Sequence, residues 1–427
     1  MNDGATNRRN FLAAAGAMTA ATVLADDKPA ANTSGNDAIK VALIGAGGRG
    51  TGAAANALQA DPRVKITCIA DAFSDRLNGA YSNLQGKFNE RVQVPEDKKF
   101  TGFDAYKKAI ATDADYVILA TPPHFRAAHF EAAVAAGKNV FMEKPVAVDP
   151  VGIRRVLAAH EEAKKKGLSV VAGTQRRHQK NYVEAYERIR DGELGKIVGG
   201  QCYWNQSQLW HKDREPGWSD LDWMIRDWVN WCWLSGDHIV EQHVHNIDVI
   251  AWFLSKDGTS AHPVRAVGMG GRAHRPTGDQ YDFFAVDYEY EGGVHIASYC
   301  RQINDCDNNV SEALVGEKGT WRSGGGLNVQ RGAKKKGAQG GKGGGFRDPY
   351  VQEHADLIGS ITGGAKLCEG YNVAISTATA IMGRMAAYTG KPITWNEFMD
   401  SGLRLGPTEY GPDVKCPPTD RPVPGRA

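Results

Sequence analysis

Between residues 39 and about 175, short apolar runs alternate with helical runs, and this alternation allows few folds. The run "IKVALI" turns at glycines into an alanine-rich helix, and "RVKITCIAD", "ADYVILATPP", "KNVFMEKP" and "LSVVAG" follow as further β runs with helices between most of them. Strands that alternate with helices form parallel βαβ units with right-handed connections. The sequence therefore predicts an α/β fold with a doubly wound parallel sheet over residues 39–175.

The glycines after the first strand indicate a nucleotide site. The loop "GAGGRG" has the G-x-G-x-x-G spacing between a strand and a helix. Such glycines let the backbone turn tightly and approach a pyrophosphate, which the helix N-terminus then binds. The expected contacts from this loop are Gly45, Gly47, Gly48, Arg49 and Gly50. Asp71 ends the next strand, where a carboxylate accepts hydrogen bonds from ribose hydroxyls and repels a 2′-phosphate, so we expect NAD rather than NADP. Arg49 could soften this preference by reaching toward a phosphate.

After residue 175 the pattern changes to β runs joined by short turns. The runs "VRAVGMGGRA", "YDFFAVDYEY" and "GVHIASYCRQI" follow one another closely. This arrangement predicts a second domain, over residues 176–400, with a mainly antiparallel sheet. We expect a tail over residues 401–427 and a flexible Gly/Lys loop over residues 323–347, because the composition of this loop cannot bury a core.

The first residues have the pattern of an export signal. Arg8-Arg9 and Phe11-Leu12 precede a short apolar run, as in twin-arginine signals. We expect a signal peptide over residues 1–25, a linker over residues 26–38 and export to the periplasm by the twin-arginine pathway. An ordinary secretory signal or a disordered tail is the alternative. The apolar run is too short to span a membrane. A formal net charge of +2 gives no reason to expect nucleic acid as a partner.

A family resemblance joins these features. The motifs "GAGGRG", "TPP" with "AGKNVFMEKP", and "EQHVHNID" resemble the Gfo/Idh/MocA oxidoreductases, which include glucose-fructose oxidoreductase and inositol dehydrogenases. The resemblance implies an N-terminal Rossmann domain and a C-terminal α/β domain with a large, mainly antiparallel open sheet. It also implies hydride transfer between a nicotinamide and a hydroxyl-bearing carbon of a sugar, glycoside or cyclitol, and a homodimer or homotetramer. The expected export adds that the nicotinamide should be tightly bound, because free NAD is scarce outside the cytoplasm. A redox-neutral, NAD-dependent glycoside hydrolase is the alternative.

The same resemblance assigns roles to individual residues. Lys144 is the motif lysine, His245 is the motif histidine, and Glu241 stands where the family usually has aspartate. We expect His245 to act as general base, Lys144 to stabilise the developing alkoxide, and Glu241 to orient the histidine or bind a substrate hydroxyl. Further cofactor contacts are expected from Thr121, Pro122, Glu143, Lys144 and Gln175. Substrate contacts are expected from Lys144, Arg176, Trp228, Glu241 and His245.

The stretch "HIVEQHVHNID" also allows a metal site to be considered. In one continuous helix, His238, Glu241, His245 and Asp248 would share a face, and that spacing could bind zinc. No cysteine or further histidine completes a ligand set in the sequence, so we expect no metal.

From Trp204 to Trp233 the sequence contains seven tryptophans, including these two, interleaved with polar residues. Aromatic faces beside fixed hydrogen-bonding groups suit a sugar, which has C–H patches and many hydroxyls. A core segment or an oligomer interface explains most of these tryptophans equally well. We expect one or two to line the substrate site, with Trp228 as the first choice.

Overall fold

A computed structural model of the chain describes residues 37–329, 347–417 and 422–425. The expected signal peptide over residues 1–25, most of the expected linker and the Gly/Lys tract over residues 331–345 lie outside these ranges. The described residues form two units, each built on one sheet. None of the described helices is both long and apolar enough to cross a membrane.

The first unit is a six-stranded parallel sheet with helices on both faces, as the sequence predicts. Its strands are β1 Ile39–Ile44, β2 Val64–Asp71, β3 Lys99–Thr101, β4 Tyr116–Leu119, β5 Asn139–Met142 and β6 Val170–Ala172. The helices of this part are α1 Gly48–Ala60, α2 Ser74–Phe88, α3 Ala105–Ile110, α4 Pro123–Ala135 and α5 Pro150–Lys165. The strand order is β3-β2-β1-β4-β5-β6, so the direction of winding reverses between β1 and β4. Ligands of such sheets bind at the carboxyl ends of the strands near this reversal.

The second unit is built on an eight-stranded open sheet. Its strands are β7 Ile197–Gln206, β8 Arg265–Gly271, β9 Phe283–Tyr290, β10 Val294–Gln302, β11 Asn309–Gly316, β12 Gly319–Arg322, β13 Gly326–Val329 and β14 Ile393–Thr394. They lie in the order β13-β12-β11-β7-β10-β9-β8-β14, in which only the β7–β10 pair is parallel. The strand β13 falls inside the expected flexible loop and pairs with β12, so residues 326–329 belong to the sheet instead.

The helices that follow β6 lie on one face of the second sheet or against the first unit. They are α6 Lys180–Arg190, α7 Asp220–Arg226, α8 Cys232–Ser235, α9 His238–Glu241, α10 Val244–Phe253, α11 Pro349–Ile361, α12 Gly370–Thr389 and α13 Trp395–Asp400. The long helix α12 packs against β8 on one side and against α5 of the first unit on another. Most residues of α12 are buried, which is why its sequence is apolar and small around nearly the whole helix.

One helix of the expected second domain, α11, packs on the first unit instead. This helix packs on α1, and its side chains Val351, Leu357, Ile358 and Ile361 join the core of the parallel sheet. The chain therefore returns to the first unit after it has formed most of the second sheet. The expected tail is also attached, since Leu405 and Tyr410 pack into a small apolar core with the tryptophan-rich stretch.

Candidate active site

The glycine loop between β1 and α1 holds its backbone in a form that requires glycine. Gly45 has a φ of +94°, and a Cβ on Gly50 would lie 1.8 Å from the carbonyl oxygen of Gly45. An added Cβ on Gly47 or Gly48 would meet no other described residue within 4 Å. The first turn of α1 thus packs directly on the loop and leaves open space above it. An anionic pyrophosphate fits this cradle, because the helix N-terminus offers free N–H groups and partial positive charge.

Asp71 stands at the end of β2 beside this loop. Its carboxylate accepts hydrogen bonds from the backbone N–H groups of Ala46 at 2.6 Å and Phe73 at 2.9 Å. Burial raises the pKa of Asp71, and these two N–H groups oppose the shift. A cleft of about 910 Å³ runs along this edge of the sheet, and its lining includes Gly45, Gly47, Gly48, Asp71, Thr121 and Pro122. The open cradle and the carboxylate at the strand end together fit a dinucleotide such as NAD.

Arg49 and Glu143, both expected cofactor contacts, meet in a cluster of charged groups. Arg49 Nη2 lies 2.6 Å from Glu143 Oε1 and 3.1 Å from Glu353 Oε1. Burial and the charge of Glu143 raise the pKa of Glu353 well above its ordinary value. The ring of Tyr350 lies under the Arg49 guanidinium, and its hydroxyl accepts a hydrogen bond from Gln175 at 3.2 Å. Arg49 and Gln175 are thus directed toward α11, which differs from the expected reach of Arg49 toward a phosphate.

Lys144 follows β5 at the carboxyl edge of the first sheet and contacts the second unit. Its ammonium donates hydrogen bonds to the backbone oxygen of Glu241 at 2.6 Å and to the Glu241 carboxylate at 3.2 Å. The side chains of Lys144 and Glu241 are 11% and 8% exposed, so the pair is shielded from water. Removal of either side chain would leave the other with a buried, unpaired charge. The lysine is therefore fixed across the boundary between the two units.

The stretch from His238 to Asp248 is two helices and not one. The helix α9 ends at Glu241, and α10 begins at Val244. Between them, His243 turns into the second unit, where its Nε2 lies 2.8 Å from Ser298 Oγ. The break corrects the expectation of a single helical face.

His245 lies in the first turn of α10 and is buried against an aromatic ring. Its imidazole stacks on Trp204 with ring centroids 5.5 Å apart. Burial, with the positive charges of Lys144 and Arg176, holds the pKa of His245 well below its ordinary value. This shift favours the neutral imidazole, which is the form that a general base requires.

Arg176 and Trp204 form a wall beside His245, together with Glu312 from β11. Arg176 Nη1 pairs with Glu312 Oε1 at 2.6 Å, and the guanidinium lies 5.8 Å from the ring centroid of Trp204. Asn246 donates a second hydrogen bond to Glu312 at 2.7 Å. An aromatic face beside fixed donors and acceptors suits a ring with many hydroxyls.

His238 and Asp248 do not join this cluster. His238 packs edge-on against Phe284, and Asp248 forms an ion pair with Arg177 at 2.8 Å. Over the described ranges, no group of three His, Cys, Asp or Glu side chains is arranged to hold a metal ion. The four side chains that the zinc hypothesis requires therefore do not share one helical face.

Trp228, the expected substrate contact, lies on the nucleotide cleft, where it lines the same space as Asp71. The tryptophan that stacks on His245 is Trp204, which the sequence did not single out. Glu312 and Asn246 were also missed. Successive side chains of a strand alternate between its two faces, so Trp204 shares the face of the buried Cys202 on β7. This alternation was the signal that could have identified Trp204.

Two family models match this chain. One, described as "Oxidoreductase family, NAD-binding Rossmann fold", matches residues 39–172. The other, described as "GFO/IDH/MocA C-terminal domain", matches residues 182–322. The first range spans the parallel sheet from β1 to β6, and the second range spans β7 to β12 of the second sheet.

The curated relatives of this chain are distant in sequence. An inositol 2-dehydrogenase of Rhizobium meliloti (strain 1021) is 24% identical over 255 residues, which are 60% of this chain and 66% of the relative. A scyllo-inositol 2-dehydrogenase (NAD(+)) of Bacillus subtilis (strain 168) is 22% identical over 66% of this chain and 72% of the relative. The chain thus spans about two thirds of the length of these curated relatives.

A solved structure shares the fold. The scyllo-inositol dehydrogenase from Lactobacillus casei, with bound NAD(H) and scyllo-inositol, superposes with a TM-score of 0.61 at 18% identity. The alignment covers 84% of this chain and 99% of that chain. With a matched NAD-binding domain, a matched C-terminal domain and this fold, the chain belongs to the Gfo/Idh/MocA family of oxidoreductases.

Proposed function

We propose that this protein transfers a hydride between NAD and a hydroxyl-bearing carbon of a sugar, glycoside or cyclitol. The observation that carries the proposal is the meeting of Lys144, Glu241 and His245 at the carboxyl edge of the first sheet. Lys144 bonds to Glu241 at 2.6 and 3.2 Å, and its charge acts on the nearby His245. The inositol dehydrogenases among the relatives support a cyclitol or sugar as the substrate class.

Each of the three side chains has a distinct part in the proposed reaction. The neutral imidazole of His245 takes the proton of the substrate hydroxyl during oxidation and returns it during reduction. The ammonium of Lys144 stabilises the negative charge that develops on the substrate oxygen. Glu241 holds that ammonium in place through the buried ion pair. When bound, NAD supplies the hydride acceptor or donor.

The residues that would hold NAD are those of the cradle and the cleft. The backbone of the glycine loop and the N-terminus of α1 suit the pyrophosphate, and Asp71 suits the adenosine ribose. On the other side of Lys144, Arg176 and Trp204 offer a cation and a flat ring to the substrate. We expect the ring face of Trp204 to cover a C–H patch of the substrate while Arg176 donates to its hydroxyls.

The proposal is tested with Lys144→Met and His245→Gln, which keep the size of each side chain approximately. Purified protein is mixed with NAD⁺ and a panel of inositols, aldoses and glycosides. The absorbance of NADH is followed, and the products are identified separately. Each variant should lower turnover at least 10²-fold, the usual scale for acid–base groups. His274→Gln is the matched control, because His274 is exposed in the turn between β8 and β9, away from the proposed site.

Turnover at the wild-type level in both variants would refute these roles. The products also separate the two reactions that the sequence allows. A dehydrogenase yields an oxidised product with equivalent NADH, whereas a redox-neutral hydrolase releases the aglycone without net NADH.

We further propose that two copies associate through the outer face of the second sheet. Side chains from five neighbouring strands form one row across this face: Ser311, Tyr203, Tyr299, Ala285 and Met269. Tyr203 and Tyr299 stack with centroids 5.3 Å apart, and Met269 is 66% exposed. A continuous row of this kind on an open sheet is typical of a surface that a partner covers.

A further inference from the structure

A segment of the second unit reaches over the carboxyl edge of the first sheet. This segment, residues 207–231, follows β7 and contains α7, and we call it the cover. Its apolar side chains form a core that is separate from the cores of the two sheets. The members from the cover are Leu221, Met224, Ile225 and Trp231, and the rings from the first unit that pack on them are Phe73, Phe103 and Phe125. Burial of these apolar surfaces holds the cover against the loops that end β2 and β3 and against α4.

Arg226 ties the cover to the loop after β2. Its guanidinium donates hydrogen bonds to the two carboxylate oxygens of Asp75, at 2.8 and 2.7 Å, and lies 3.9 Å from the ring centroid of Phe73. The Arg226 side chain is only 11% exposed. A two-point pair of this type fixes the orientation of both groups. Because Phe73 and Asp75 closely follow Asp71, the pair lies at the ribose end of the cleft.

The inner surface of the cover faces the cleft with rings and a cation. Its lining side chains are Trp210, Ile225, Arg226 and Trp228. The two tryptophan rings pack edge-on with centroids 6.4 Å apart. Asn230 steadies the first of them through a hydrogen bond to the Trp210 carbonyl at 3.2 Å. An aromatic side chain can stack on any nucleobase, and a guanidinium attracts a phosphate group.

We propose that the cover is the outer wall of the adenosine site, and that the Arg226–Asp75 pair must break before the nucleotide leaves. Asp71 marks the adenosine ribose, so the rings of the cover lie at the adenine end and Lys144 at the reacting end. Release of NAD(H) is then limited by movement of the cover. The proposal rests on the NAD site of the proposed function, but it concerns only how long the nucleotide stays.

The experiment measures release without any substrate. Full-length protein is loaded with NADH and mixed rapidly with a large excess of NAD⁺, and the decay of bound-NADH fluorescence gives the rate of release. Arg226→Ala and Asp75→Ala break the pair from opposite sides, and Asp75 is exposed enough to be replaced without harm to a core. Arg188→Ala is the matched control, since Arg188 of α6 makes a similar two-point pair with Glu193, which follows that helix.

We expect NADH to leave about five- to tenfold faster from Arg226→Ala, which loses the ion pair and the cation–π contact with Phe73. Asp75→Ala loses only the ion pair, so its release should be about two- to fivefold faster. Arg188→Ala should release NADH at the wild-type rate. Wild-type rates in Asp75→Ala and in folded Arg226→Ala would overturn the proposed role of the cover while leaving the proposed reaction intact. Failure of the wild-type protein to bind NADH would overturn the proposed function itself, and this inference with it.

Discussion

Gly47, which precedes α1, and Gly50 and Gly52 in its first turns should respond to alanine in three different ways. A Cβ on Gly50 would lie 1.8 Å from the Gly45 carbonyl oxygen, although real contacts are almost never closer than 3.0 Å. The first turn of α1 would therefore have to move by at least 3.0 − 1.8 = 1.2 Å. Overpacking against rigid backbone costs about 3 kcal/mol or more of unfolding free energy. We expect Gly50→Ala to lose this stability and to lose NAD binding, because the cradle is displaced.

Gly47→Ala should separate binding from stability. Gly47 has ordinary backbone angles, with φ −72° and ψ −174°, and an added Cβ meets no described residue within 4 Å. The free energy of unfolding should therefore change by less than about 1 kcal/mol. The same methyl group would occupy the space where a pyrophosphate approaches the backbone. A clash of about 1–3 kcal/mol weakens NAD binding by about 5- to 150-fold.

Gly52→Ala is the matched control within the same helix. Its Cβ would lie 3.6 Å from Arg49 Nη1, an ordinary contact with a flexible side chain. Alanine inside a helix should raise the unfolding free energy by about 0.5–1 kcal/mol and leave the affinity for NAD unchanged.

Urea unfolding and NADH fluorescence titration measure both quantities for all three variants. Wild-type stability in Gly50→Ala would refute the reading of α1 as packed directly on the loop. Wild-type affinity in Gly47→Ala would refute the placement of the pyrophosphate over this residue.

Two further predictions concern a buried histidine and the outer sheet face. His178 lies 2.6 Å from Asp356 and 3.4 Å from Glu369. Burial disfavours its charge, but these two acids prevail and raise the pKa of His178 to about 10. The stabilisation is complete below pH about 6.5 and is lost as the pH rises to about 10, by up to about 5 kcal/mol. His178→Gln should abolish this decline in urea unfolding across that range, and an unchanged decline would contradict the assignment. On the outer face, Met269→Glu with Tyr299→Glu should convert a dimer to a monomer, or a tetramer to a dimer, in light scattering. An unchanged mass would exclude this face as the interface.

Local spacing was sufficient for the parts of the site that directly follow a strand. Gly45 follows β1, Asp71 ends β2 and Lys144 lies two residues after β5, and parallel strands bring their carboxyl ends to one edge. The doubly wound sheet was predictable for the same reason, because each βαβ unit is a local pattern. His245 and Glu241 required the family resemblance, since nothing in their own spacing shows that they face Lys144.

Contacts between distant segments could not be predicted from one sequence. Arg49 and Glu353 pair across 304 residues, and Arg226 and Asp75 pair across 151. The tryptophan-rich stretch shows the difficulty clearly. Its composition indicates aromatic surface, but tertiary packing decides that Trp204 stacks on the histidine and that Trp228 faces the nucleotide cleft. The turn at His243 was missed as well, because a buried hydrogen bond to Ser298 competes there with helical continuity.

The position of α11 has a consequence for the order in which the protein is made. During synthesis the six strands of the first sheet emerge early, but the apolar face of α1 stays uncovered until residues 349–361 have left the ribosome. By then the ribosome has already produced most of the second sheet. The nucleotide-binding unit therefore cannot mature as an independent early domain, and a chain cut after residue 175 would expose the surface that Leu357 and Ile358 normally bury. We expect the two units to unfold together, because α11 comes after most of the second sheet in the chain and completes the core of the first unit.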